Sequence, residues 1–134
     1  MVQFEKATIK KYFPKTVKND EGEEINKIVI QVHADLDNGM NVQECYNYAF
    51  KGLCNIIFTD RVTTEPYSVN NTGFAKNPFG VKERNVKGED GVKEKVEYLD
   101  ITFEKKINSI EEAVIFSDLY SMFNIDVNLE IKDA

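Results

Sequence analysis

Few side chains in this 134-residue sequence are of the types that perform metal or nucleophilic chemistry: one histidine, His33, and two cysteines, Cys45 and Cys54. A structural zinc site takes four Cys or His ligands, usually in pairs two to four residues apart, and three such residues spread over 22 positions do not supply them. As a nucleophile, Cys45 would need a base such as His33 beside it. It falls on the apolar stripe of an expected helix, which predicts a buried, inert thiol, and two unpaired cysteines fit a reducing compartment. The run Asp35-Leu36-Asp37-Asn38-Gly39 has the alternate carboxylates of a calcium loop. The EF-hand register, however, wants Gly sixth and Glu twelfth, where Met40 and Tyr46 stand, so a polar turn is expected.

Phosphate loops, G-x-G-x-x-G and G-x-S-x-G are all absent from the sequence. The acidic pairs Glu23-Glu24 and Glu111-Glu112 fall at loop and helix-cap positions, where solubility and the helix dipole account for them. The sequence therefore predicts a non-enzymatic protein with no cofactor.

Two sets of residues suggest binding instead. Charge is unevenly spread within the net −6: residues 1–18 hold five Lys against Glu5, and residues 19–44 hold seven acids against Lys27. The last 27 residues carry six acids against Lys132. Glu111, Glu112, Asp118, Asp126 and Glu130 are the expected partner-facing set. Glu111 and Asp118 are seven apart on a helix, and Asp126 and Glu130 share the outward parity of a strand. A field of this sign attracts a protein with a basic surface and repels duplex DNA. The first expectation is thus an inhibitor, immunity or adaptor type of protein that works through its acidic C-terminal helix and strand.

The second set is Phe4, Lys6, Thr8, Lys10 and Tyr12, on one parity of an expected strand over 2–13. Aromatic and basic side chains alternating on a sheet can stack bases and neutralise phosphates. Arg61 and Lys76 in the 60–80 segment would extend that surface, giving a single-stranded nucleic-acid-binding protein as the alternative. The competing structural explanation is that strand aromatics form core and that Lys protects a sheet edge. A structural assembly subunit joined through the 60–80 segment and an exposed edge is the third reading.

These residues need elements to position them. The length and the 42% hydrophobic content imply a single domain with its own core, without a disulfide or metal. No apolar run approaches the roughly 20 residues of a membrane helix, and the chain opens without an apolar signal segment, so a cytoplasmic protein with no membrane partner is expected. Residues 2–13 and 28–35 read as a hairpin, as do 81–86 and 92–103 around Gly88-Glu89-Asp90-Gly91. Asn41 with Glu44 reads as a helix cap opening a helix over 42–57, and Ser109 with Glu112 opens a second. Ile125, Val127, Leu129 and Ile131 alternate with polar residues as a half-buried terminal strand. Residues 60–80, rich in Gly, Pro and Asn, read as a long loop. Together these predict an α+β domain: a mixed or mainly antiparallel sheet of two hairpins and a C-terminal strand, with two helices packed on it. Strands 92–105 and 125–132 would lie parallel in one sheet, joined by a right-handed crossover.

Because neither a complete metal site nor a disulfide is needed for folding, chelators and reductants are expected to leave the melting temperature unchanged. A shift of many degrees with a chelator would show that Asp35, Asp37 or His33 holds a structural ion.

Overall fold

In the computed structural model, residues 1–36, 40–108 and 111–134 are described. Six strands carry nearly all of the apolar alternation: β1 (Val2–Lys18), β2 (Glu24–Asp35), β3 (Cys54–Asp60), β4 (Pro66–Lys87), β5 (Lys93–Lys106) and β6 (Val127–Asp133). They close into an antiparallel barrel in the order β1-β2-β5-β4-β3-β6, with β6 returning to β1. The expected α+β sheet is therefore corrected to a mostly β barrel. What misled the sequence reading is that barrel closure is a non-local pairing, whereas periodicity reports only which residues of a strand face inwards.

Both helices are short. Helix α1 (Met40–Lys51) carries the chain from β2 to β3, and α2 (Ile115–Met122), preceded by a 3-10 turn at Glu111–Val114, carries it from β5 to β6. Each connection joins strands on opposite sides of the barrel, so the helices close its two ends instead of covering a sheet face. Cys45 and Tyr48 of α1 and Leu119 and Met122 of α2 enter the same core as the strands. The expected β5-helix-β6 crossover is likewise corrected, because β5 and β6 are not neighbours.

The expected helix over 42–57 ends at Lys51. Gly52 takes φ +96°, its amide reaches Tyr48 O at 3.2 Å, and the β-branched run after it forms β3. This is a helix stop at a left-handed residue, a conformation glycine adopts without steric cost. Asn41 lies within the first turn of α1, where its side-chain amide donates to Gln3 O at 3.3 Å. The expected Ser109 cap and Asp37-Asn38-Gly39 lie outside the described residues.

The 60–80 segment is corrected from a loop to the end of β3, a turn and most of β4. Two register shifts hide its period. One extra residue near Asn70 and Asn71 stands opposite Asn55, and Asn71 takes φ +53° with its amide on Asn55 Oδ1 at 2.9 Å. A second shift inserts residues between Phe74, opposite Phe103, and Phe79, opposite Ile101. Strand β1 carries two more shifts, between Phe4 and Ala7 against β6 and between Ile9 and Lys11 against β2. Each inserts one residue, and one inserted residue exchanges inward for outward parity. Phe4, Ala7 and Ile9 are buried as a result, although they do not share one parity.

The barrel interior is solid. Phe4, Phe58, Phe103, Ile9, Ile30 and Leu129 are among the side chains with under 2% exposure that fill it. Truncating Phe58, at 0% exposure, to Ala removes a ring that the closed barrel cannot collapse to replace. Phe58→Ala is expected to cost about 3–5 kcal/mol in urea-induced unfolding, and a loss below ~1 kcal/mol would show that this interior is not close-packed.

Candidate functional site

A filled barrel offers ligands only its outer walls and its ends. Strands β2 and β5 form one wall, flanked by β1 and β4, and β3 and β6 form the wall on the opposite side.

The β2–β5 wall holds a polar network. The register sets Thr8, His33 and Asp100 side by side, with Lys11, Gln31 and Thr102 in the next outward row. Asp100, at 8% exposure, accepts two hydrogen bonds from Gln31 Nε2, at 3.0 and 3.1 Å, and one from Lys82 Nζ at 3.0 Å. Arg84 grips Asp35 through two parallel hydrogen bonds, at 2.5 and 2.7 Å, the geometry that a planar guanidinium makes with a carboxylate. Glu104 sits 3.5 Å from Lys15 Nζ and 3.2 Å from Lys27 Nζ. The ring of His33 stacks on Tyr98 at 4.5 Å between centroids.

The order Thr8-His33-Asp100 is that of a nucleophile, a base and an orienting acid, but the linking hydrogen bonds are missing among the described residues. His33 Nε2 is 3.9 Å from Asp100 Oδ2, and Asp100 is already occupied by Gln31 and Lys82. Burial lowers the His33 pKa below its ordinary value. Asp100 opposes that shift, while Lys10, Lys82 and Arg84 add to it. The imidazole is thus neutral near pH 7.

The two thiols are fully buried, and burial pushes each up to about 12, with Glu44 a further cause at Cys45. Neither is a thiolate near neutral pH. Among the described residues, no three His, Cys, Asp or Glu side chains gather as metal ligands.

The β3–β6 wall carries carboxylates beside a groove, with Lys132 next to Glu130 on the same outward parity. Glu5 and Glu130 border a groove of about 280 Å³ lined also by Gln3, Thr59 and Asn128. Neither carboxylate has a cation within 4 Å among the described residues, whereas each of Asp35, Asp100 and Glu104 on the opposite wall does. Asp60 caps the turn after β3 by accepting the amides of Val62 and Thr63.

The residues expected to bind a basic protein divide between elements. Glu130 lies in the groove, and Asp126, just before β6, is 3.9 Å from Lys6 Nζ. Asp118 sits on α2 at the barrel end beside Tyr67, whose hydroxyl is pushed up by burial and then by Asp118. Glu112 accepts the amide of Asn108 at 3.3 Å, and Glu111 opens the 3-10 turn. Glu5 and Asp60 were missed because their nearness to β6 depends on the β1–β6 and β3–β6 pairings. Strand parity did identify Glu130.

The residues expected to bind nucleic acid are also divided. Phe4 is in the core, and Tyr12 turns inward against Phe116 and Phe123, at 6.3 and 5.6 Å between centroids. Lys6 and Lys10 point outwards, Lys10 reaching Asn124 Oδ1 at 3.5 Å. Arg61 shares a cleft of about 630 Å³ with Asn124 and Asp126, and Lys76 stands across the barrel on the irregular part of β4. The structure therefore does not bring these six onto one surface. The exposed aromatic residue of β1 is Phe13, which the sequence reading passed over because the shift after Ile9 moves it outwards.

Comparison with known protein families, curated proteins and solved structures found no match. Among the described residues, no helix is long and apolar enough to cross a membrane.

His33 is the single imidazole of the chain, so its proton resonances report it alone. They are expected to titrate below 6.5 in the native protein. The unfolded chain then binds more protons than the fold as pH drops below about 6.5. The stabilising contribution of neutral His33 is complete above that value and is lost as pH falls through the native pKa. A native pKa above 6.5 would contradict the burial of this ring.

Proposed function

We propose that the chain is a non-enzymatic, cytoplasmic adaptor that docks a protein with a basic surface on its β3–β6 wall. One observation carries this reading: Asp35, Asp100 and Glu104 on the β2–β5 wall are each matched by a cation of the chain, while Glu5 and Glu130 beside the groove have none within 4 Å among the described residues. Unmatched rim carboxylates of one sign steer a cationic surface into contact and mainly raise its association rate. The interior is filled by apolar side chains, which supports binding at the outer surface over chemistry inside the barrel. Two free, buried thiols fit a reducing compartment.

This reading moves the docking surface from the whole C-terminal helix and strand to Glu5 and Glu130, with Asp126, 3.9 Å from Lys6 Nζ, at its edge and Asp118 outside it at the barrel end. Immobilised protein is expected to capture a basic partner that E5Q/D126N/E130Q fails to retain. In surface plasmon resonance with that partner, the triple variant should associate several-fold more slowly at low salt and show a flatter salt dependence than the wild type. Equal association rates for both proteins across the salt series would reduce this wall to a solubility device.

A further inference from the structure

Three lysines stand side by side across β1, β2 and β5: Lys15 is paired with Lys27, and Lys27 with Lys106. Like charges directly opposite one another on a sheet are destabilising. Glu104 serves Lys15 and Lys27 together, while Lys106 has no carboxylate within 4 Å among the described residues. Lys11, two outward rows away, is exposed and equally without such a partner. The fold thus tolerates a concentration of positive charge that its own acids do not neutralise.

Aromatic faces accompany that charge. Phe13 lies between Lys11 and Lys15 on the outward parity, is 44% exposed, and stands opposite Val29, which is buried outside the core cluster. At the far end of the wall, Tyr98 stacks on His33 at 4.5 Å with an interplanar angle of 29°, and the Arg84 guanidinium lies 5.8 Å from the tyrosine centroid. Tyr98 and Lys106 are eight residues apart on β5, which at ~3.4 Å per residue sets the two ends about 27 Å apart.

We propose that this wall binds single-stranded nucleic acid, with phosphates along Lys11, Lys15, Lys27 and Lys106 and bases stacked on Phe13 and the Tyr98–His33 shelf. Single strands are held by this combination of a positive track with aromatic platforms, because every base has a face to stack and the backbone is uniformly charged. A duplex offers the same phosphates but keeps its bases stacked internally, so the aromatic residues would go unused. The β3–β6 wall of a second copy would offer Glu130 to the lysines, but its outward residues Asn55, Ile57, Thr59, Asn128 and Lys132 include no aromatic ring to stack on Phe13. The inference concerns the wall opposite the protein-docking groove, so either can fail without the other.

The test is fluorescence anisotropy of the full chain with labelled single-stranded DNA and RNA of about 20 nucleotides and one sequence. The corresponding DNA duplex and inorganic polyphosphate serve as competitors, over about 50–200 mM salt. Single strands should bind, and neither competitor should displace them at equal phosphate concentration; the tighter of DNA and RNA identifies the natural strand. K11Q/K15Q/K106Q leaves Glu104 with Lys27 and should lower the slope of log affinity against log salt by about 2, at about 0.7 per phosphate contact. Phe13→Ala should weaken binding about tenfold with the slope unchanged. Lys132→Gln, on the opposite wall, should change nothing. If the triple variant melts early, K106Q alone, which removes no ion pair, should still reduce the slope by about 0.7.

Absence of binding at the lowest salt would overturn the proposal. So would polyphosphate or duplex competing equally while Phe13→Ala binds normally, which would leave a charged surface without base recognition. Sedimentation showing that wild-type copies associate through this wall, and that K11Q/K15Q/K106Q separates them, would assign it to a second copy instead.

Discussion

Closure of the sheet between β1 and β6 is the constraint on which the rest of the structure depends. Strand β1 must serve two partners, β6 along Val2–Ala7 and β2 along Ala7–Lys18, and a flat strand cannot turn from one to the other. The register shifts after Phe4 and after Ile9 provide the bend, since a bulge adds a residue on one strand and increases local twist. Each shift also adjusts which side chains enter the interior: Phe4, Ala7, Ile9 and Tyr12 face the core, while Lys6, Lys10, Lys11 and Phe13 face water. The same local device that closes the barrel thus sends Phe4 and Tyr12 inwards and leaves Phe13 outside with the lysines.

The functional surfaces follow from that closure. A barrel of six strands has a narrow interior, and here phenylalanines and branched aliphatic side chains fill it, while α1 and α2 carry core residues across the two ends. Polar groups are consequently distributed over the exterior, and the order of strands sorts them by charge. Strands β2 and β5 bring Asp35, Asp100 and Glu104 next to cations, leaving Lys11 and Lys106 in excess, whereas β3, β6 and the start of β1 expose Glu5 and Glu130 unmatched. The net charge of −6 conceals this arrangement, because it averages two walls that would attract different ligands.

Local signals in the sequence were readable and distant ones were not. The alternation of Val127, Leu129 and Ile131 with Asn128, Glu130 and Lys132 defined β6 and its outward carboxylate, and turn residues marked the β1–β2 and β4–β5 hairpins. Burial of Cys45 followed from its place on the apolar stripe of α1. The bulges are not readable, because an inserted residue erases the period by which a strand is recognised; hence parity groups Phe4 and Tyr12 with Lys6 and Lys10, and the first part of β4, 66–80, reads as a loop while 81–86 reads as a strand. Isoleucine and phenylalanine after Gly52 fit a helix face or a strand equally well, and pairing with both β4 and β6 decided for the strand. The neighbourhood of Glu5 and Glu130 was also hidden, since it depends on which strand β1 meets at its far end.

Residue-resolved amide hydrogen exchange by NMR tests closure most directly, because among the described residues Val2, Gln3 and Phe4 pair with no strand except β6. In a closed barrel, the β1 amides in this segment that donate to β6 should open only with free energies close to that of global unfolding, like the central amides of β2 and β5. Exchange of those amides at the rate of a frayed terminus, while β2 and β5 stay protected, would show an open sheet. The account of two oppositely charged walls would then be wrong.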